Sequence, residues 1–115
     1  MPLSPIDSLL LDDIRAAALA AQSFVRELTL EMYLASDLHS SAIERKLTVI
    51  GEAAGLISTD IQRRYSHVEW RPIASLRNKL IHDYFEIDSD RIWEFVTQDV
   101  PTLLNEIDLI LSNET

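Results

Sequence analysis

The apolar residues of this chain fall at helical intervals almost from end to end. Leu11, Ile14, Ala18, Ala21, Val25 and Leu28 follow one another in steps of three and four. So do Ile43, Leu47, Ile50, Ala54 and Ile57, and again Ile92, Val96, Val100, Leu103, Ile107 and Ile110. Each series traces one stripe along a helix, and none fits the two-residue period of a half-buried strand. Only two glycines occur, Gly51 and Gly55, both inside a series, and no Asn-Gly or Asp-Gly pair offers a hairpin turn. The chain is therefore expected to be all-α.

Its boundaries can be placed from capping chemistry. Ser4 can cap the first helix, Pro5 suits its first position, and Asp7 can reach back in a capping box. That helix is expected to run to about Leu28, with a short turn around Leu30 to Ala35. A second long helix starts near Ser36 or Asp37. Gly51 and Gly55 sit within it, four residues apart and on one face. Glycine there costs about 1 kcal/mol relative to alanine. A close approach by another helix, within the fold or across a dimer, would account for it. Ser58 to Tyr65 reads as a continuation or as a short separate helix. A third long helix opens near Glu69 to Pro72, carries Ile73, Leu76 and Leu80 on its apolar side, and should end near Tyr84 or Phe85. Asp88, Ser89 and Asp90 offer caps for the last helix. Pro101 lacks an amide donor and should kink that helix or divide it into two abutting pieces. The sum is an up-and-down bundle of four main helices plus short helical turns, one domain over all 115 residues.

Composition narrows the function. The absence of cysteine removes a disulfide scaffold, a thiolate metal site and a cysteine nucleophile, and points to a reducing compartment. The apolar stretch from Ala16 to Val25 is too short to span a bilayer. Asp7, Asp12 and Asp13 do not suit a secretory leader, so a cytoplasmic protein is expected. The net charge of −9 argues at first against nucleic acid. The charge is segregated, however. Residues 1–44 carry two bases against seven acids, residues 80–115 one base against nine, and residues 45–79 seven bases against three acids. The middle of the chain is basic. With no helix-turn-helix signature and acidic flanks, DNA is not the expected partner.

A search for chemistry first eliminates. His39, His67 and His82 are not paired at metal-ligand spacing, and no Glu-x-x-His occurs. There is no glycine-rich phosphate loop and no Gly-x-Ser-x-Gly elbow. His39 and His67 read as surface or loop residues, and Trp70 and Trp93 as packing anchors. What remains is Arg77-Asn78-Lys79-Leu80-Ile81-His82-Asp83-Tyr84 at the end of the third helix. Asn78 and His82 share a helix face, whereas Arg77 and His82 lie about 140° apart around it. They could flank one groove or point into a cleft shared with a second subunit.

Such a set suits phosphodiester transfer in RNA, where the 2′-hydroxyl is the nucleophile. Histidine moves protons near neutral pH, and arginine's planar fork matches phosphate oxygens. Asn78 can orient the histidine or bind phosphate. No metal or cofactor is needed. Plainer readings stand beside this one. A histidine near a helix C-terminus caps carbonyls, Arg77 can pair with Glu52 or Asp83, and Tyr84 suits the rim of a core. Glu52, beside Gly51, reads as a buried partner for an arginine in preference to part of a polar site.

The same octapeptide fits the R-X4-H-X-Y motif of HepT-like proteins, a branch of the HEPN superfamily, and the resemblance extends further. Arg45 to Ala54 resembles that family's segment ending in Ile-Gly-Glu-Ala. Val68-Glu69-Trp70 through Leu76 resembles its tryptophan-containing lead into the motif, and Trp93-Glu94 with Asp99-Val100-Pro101 resembles its last helix. Together these cover roughly residues 8–111. The resemblance implies a helical homodimer whose two motifs meet in an interface cleft. It implies a metal-independent RNA endonuclease, the toxin of a type II toxin–antitoxin pair. The partner would be a minimal nucleotidyltransferase of the MNT type that transfers AMP to the motif tyrosine. Position by position it makes Arg77 and His82 the catalytic pair, Asn78 the supporting polar residue and Tyr84 the modified one. Lys79, Arg45 and Lys46, in the basic segment, are then candidate RNA contacts. Asp83 departs from the glycine common at that position and adds negative charge beside the RNA path. The alternative function is a non-enzymatic helical partner or regulator of a nucleotidyltransferase.

Overall fold

Ser4 starts the first helix as expected, its Oγ accepting from the Asp7 amide at 3.1 Å. The computed structural model describes residues 3–82 and 88–114, and the side chains of all of these except Ile81 and His82. Helix α1 (Pro5–Val25) is three residues shorter than expected. Asp7 does not close a capping box. Its buried carboxylate turns inward and accepts from Ser58, 2.9 Å from the amide and 2.6 Å from the hydroxyl. Leu11, Ile14, Ala18 and Ala21 are buried, and Val25 and Leu28 only half so, because the stripe runs out at the end of the bundle.

The stretch expected as a turn is instead a short helix, α2 (Leu30–Ala35). Thr29 caps it, with Oγ1 accepting from the Met32 amide at 3.2 Å, and its one buried side chain is Tyr33. Helix α3 (Asp37–Leu56) begins at a Ser36 cap and carries Ile43, Leu47, Ile50 and Ala54 into the core, followed by Ile57 just past its end. Residues 58–65 form a separate helix, α4 (Thr59–Arg64), because Ser58 caps a new start. Ser58 thus serves both α4 and the carboxylate of Asp7.

Helix α5 (Trp70–His82) packs along α3 and buries Ile73 and Leu80. Trp70 anchors its start, with Nε1 donating to the Tyr65 carbonyl at 3.0 Å. Where α5 ends, expected near Tyr84 or Phe85, lies outside the described residues. Asp88 caps α6 (Ser89–Glu94), accepting from the amides of Asp90 and Arg91. Between α6 and α7 (Val100–Glu114) the chain makes one wide π turn, Phe95–Asp99, in which the Val100 amide reaches back five residues to the Phe95 carbonyl. The extra residue makes room for the ring of Pro101 and absorbs its missing donor. The expected division of the last helix is therefore real, and Ile92, Val96, Val100, Leu103, Ile107 and Ile110 all remain buried across it.

Helix α1 packs between α3 and α7, and α5 covers the other side of α3. The described residues form no strand and no helix long and apolar enough to cross a membrane. Polar clamps close two corners of the bundle. Glu114, buried near the C-terminus, accepts from the Tyr65 hydroxyl at 2.7 Å and pairs with Arg64, which also meets Asp60 at 3.6 Å. Hydrogen bonds to a charged group contribute about 1.5–3 kcal/mol. Removing the Asp7 carboxylate deprives both Ser58 groups of their buried acceptor, so Asp7→Ala should lower unfolding stability by about 2–3 kcal/mol in urea titrations.

Candidate active site

Residues Arg77 to His82 lie on α5, and the backbone of Arg77 is packed closely against α3. Gly51 of α3 is buried directly beneath Arg77. A Cβ built on Gly51 would stand 2.8 Å from the Arg77 amide nitrogen, 3.1 Å from the Arg77 Cβ and 3.1 Å from the Ile73 carbonyl oxygen. The close approach expected of this glycine therefore occurs within the fold. Gly55 is different. It is exposed, and its Cβ would meet Ala74 Cβ at an ordinary 3.5 Å.

From this fixed stem the Arg77 side chain emerges half-buried. Among the described residues its hydrogen-bond partner is a neutral one, the Asn78 Oδ1 at 3.2 Å from Nη1. Asn78 is exposed and so braces the guanidinium while both face solvent. Glu52 does not play the part assigned to it. It is exposed, because one residue after Gly51 the helix has turned about 100° away from α5. It makes no ion pair with Arg77 and instead lines a groove of about 260 Å³ with Leu10, Asp13, Arg45, Val49, Ala53 and Leu56. Arg45 thus stands with Asp13 and Glu52, between α1 and α3, and the structure does not bring it to Arg77. Lys79 is exposed on α5 and Lys46 half-exposed on α3. His82 closes the described part of α5, five residues beyond Arg77, and the expectations for Asp83 and Tyr84 lie outside the described residues.

His67, Trp70 and Trp93 hold the roles expected of them, whereas His39, expected on the surface or in a loop, lies in the first turn of α3. His39 is half-buried, its Nδ1 2.7 Å from the Ser36 hydroxyl at the α3 cap. His67 is exposed, 3.9 Å from Glu106. Trp93 packs its ring 5.4 Å from that of Tyr33. Among the described residues no three His, Asp or Glu side chains converge as metal ligands.

Two further polar groups carry no sequence signal, since only tertiary packing makes them unusual. Glu44 lies seven residues before Gly51, on the same face of α3. Partial burial raises its carboxyl above the ordinary range. Tyr33 is buried to 1% exposure and its hydroxyl has no hydrogen-bond partner among the described residues. Burial and the charge of Glu44 push the phenol up to about 12.

An all-α bundle whose α5 carries an arginine five residues before a histidine fits the HEPN-type proteins that the sequence resembles. The family model described as Ribonuclease HepT-like matches residues 14–110, and the chain belongs to the HepT-like family. It is 38% identical over 93 residues to "Probable ribonuclease HepT" of Thermococcus cleftensis, covering 81% of this chain and 84% of that one. Two Methanocaldococcus jannaschii proteins named "Putative RNase" are similar at 32% over 98 residues and 37% over 90 residues. The first alignment covers 85% of this chain and 90% of the relative, the second 78% and 74%. No solved structure matches the chain.

Burial of Glu44 gives a pH prediction whose sign follows from linkage. The unfolded chain ionises this carboxyl near 4.5, the folded one only at higher pH, so ionisation opposes folding above that range. Glu44→Gln should therefore raise thermal stability at pH 7. The gain should fade to nothing as pH falls below about 4.5. Calorimetric melts across that interval check it.

Proposed function

We propose that this protein is an RNA endonuclease that works without a metal, as the toxin of a type II toxin–antitoxin pair. Membership of the HepT-like family and relatives named as ribonucleases support the reaction class. The observation that carries it to particular residues is Arg77. It is a half-buried arginine on a packed helix, and among the described residues the partner of its guanidinium is neutral.

In this reading Arg77 holds the scissile phosphate and stabilises the charge that builds on its oxygens. His82 takes the proton from the 2′-hydroxyl, the 2′-oxygen bonds to phosphorus, and the bond to the 5′-oxygen breaks as that oxygen is protonated. Asn78 steadies the guanidinium. Two copies of the chain bring two motifs to one cleft, and Lys79 adds charge along the RNA path. Arg45 and Lys46 contribute at most to outer contacts. The partner is a minimal nucleotidyltransferase that moves AMP from ATP to the Tyr84 hydroxyl, releasing pyrophosphate. The new phosphodiester lies two residues from His82, offers Arg77 an anion already in place, and repels RNA.

One experiment covers both halves. Arg77→Ala and His82→Ala should each slow RNA cleavage by about 100-fold or more while the helical circular dichroism stays unchanged. Incubation with the neighbouring transferase and ATP should add AMP to the intact mass of the protein but not of Tyr84→Phe. Full cleavage by both alanine variants, or AMP addition to Tyr84→Phe, contradicts the assignment.

A further inference from the structure

The two glycines of α3 face the same neighbouring helix but meet it differently. At Gly55 a methyl group would rest in ordinary contact on Ala74. At Gly51 it would press on backbone: the Arg77 amide nitrogen at 2.8 Å and the Ile73 carbonyl oxygen at 3.1 Å, with the Arg77 Cβ also at 3.1 Å. Those two backbone atoms belong to one turn of α5, in which the Arg77 amide donates to the Ile73 carbonyl, and cannot swing aside as a flexible side chain would. To restore ordinary contact of 3.4 Å or more at the amide nitrogen, α5 must shift outward by about 0.6 Å at that turn. Arg77 is the residue whose own backbone would be displaced, and its long side chain magnifies a tilt at its base.

We propose that Gly51 is a positioning residue for Arg77: its missing side chain lets the α5 backbone seat on α3 and so fixes where the guanidinium stands in the RNA cleft. The inference rests on the reading of Arg77 as the phosphate-binding catalytic group. A glycine needed only for stability would affect folding. A glycine that sets the height of Arg77 affects the rate through Arg77 alone. The distinction can be measured, because misplacing a catalytic group by about 1 Å can cost on the order of 100-fold in rate.

The test is a double-mutant cycle read in single-turnover cleavage at saturating RNA. Gly51→Ala should slow the step by about 10- to 100-fold. Gly55→Ala, which adds helix propensity and meets Ala74 only in ordinary contact, should leave it unchanged. The double variant Gly51→Ala with Arg77→Ala should match Arg77→Ala alone within about twofold. Each variant is assayed well below its own melting temperature. Gly51→Ala is also made in the Gly55→Ala background, where the stronger helix favours folding. Wild-type cleavage by Gly51→Ala beside a crippled Arg77→Ala overturns the proposal. So does a loss that multiplies with that of Arg77→Ala, and so does failure of Gly51→Ala to fold in both backgrounds, which would make the glycine a folding requirement. A fully active Arg77→Ala overturns the catalytic reading itself, and this inference with it.

Discussion

The contact between α3 and α5 is the constraint on which the rest depends. Helices normally keep their axes 8–10 Å apart because side chains separate them. Here one position on α3 has no side chain, and the α5 backbone descends onto it at Arg77. Ile73 and Leu80 are thereby driven into the core on the same helix that carries Arg77 outward. An arginine on a mobile loop would lose rotamer and backbone freedom each time it bound phosphate. One mounted on a packed helix has met the backbone part of that cost during folding. The tolerance of Gly51 in a 20-residue helix and the availability of a rigid arginine are two sides of one arrangement.

The acidic composition also has a structural reading. Among the described residues two acids, Asp7 and Glu114, are buried and hold the helices together. Asp7 joins α1 to the start of α4, and Glu114 joins the end of α7 to Arg64 and Tyr65. The basic middle of the chain is likewise not one patch. Arg64 is committed to Glu114 and Asp60, and Arg45 is rimmed by Asp13 and Glu52. On α5, Arg71 and Lys79 are exposed and Arg77 half so, and none of the three makes an ion pair among the described residues. A polyanion would meet repulsion over much of this surface and attraction along that helix.

Most of the architecture was legible because it obeys a short-range rule. Three- and four-residue steps found the buried faces of α1, α3 and α7, and even Pro101 announced the wide turn before it. Two local misreadings have separate causes. Leu30 to Ala35 lacks a long apolar series, so only the Thr29 cap and the burial of Tyr33 disclose its helix. Asp7 fits a capping box by spacing, but a partner 51 residues away outcompetes the local amide for its carboxylate. The site divides the same way. Arg77 and Asn78 could be named from a motif, and the glycine signalled a close approach without saying to what. That the approach falls on Arg77, that Glu52 turns to solvent, and that Tyr33 and Glu44 are polar groups held in the packing are consequences of tertiary register. No spacing within one helix encodes that register.

The central claim is chemical: the substrate's own 2′-hydroxyl attacks, aided by protein side chains and no metal. The end groups of the RNA fragments test it most directly. Mass spectrometry of fragments produced by the purified wild-type protein in excess EDTA should find 2′,3′-cyclic phosphate on one side of the cut and 5′-hydroxyl on the other. Fragments bearing 5′-phosphate, or cleavage abolished by EDTA and restored by a divalent cation, would contradict the account.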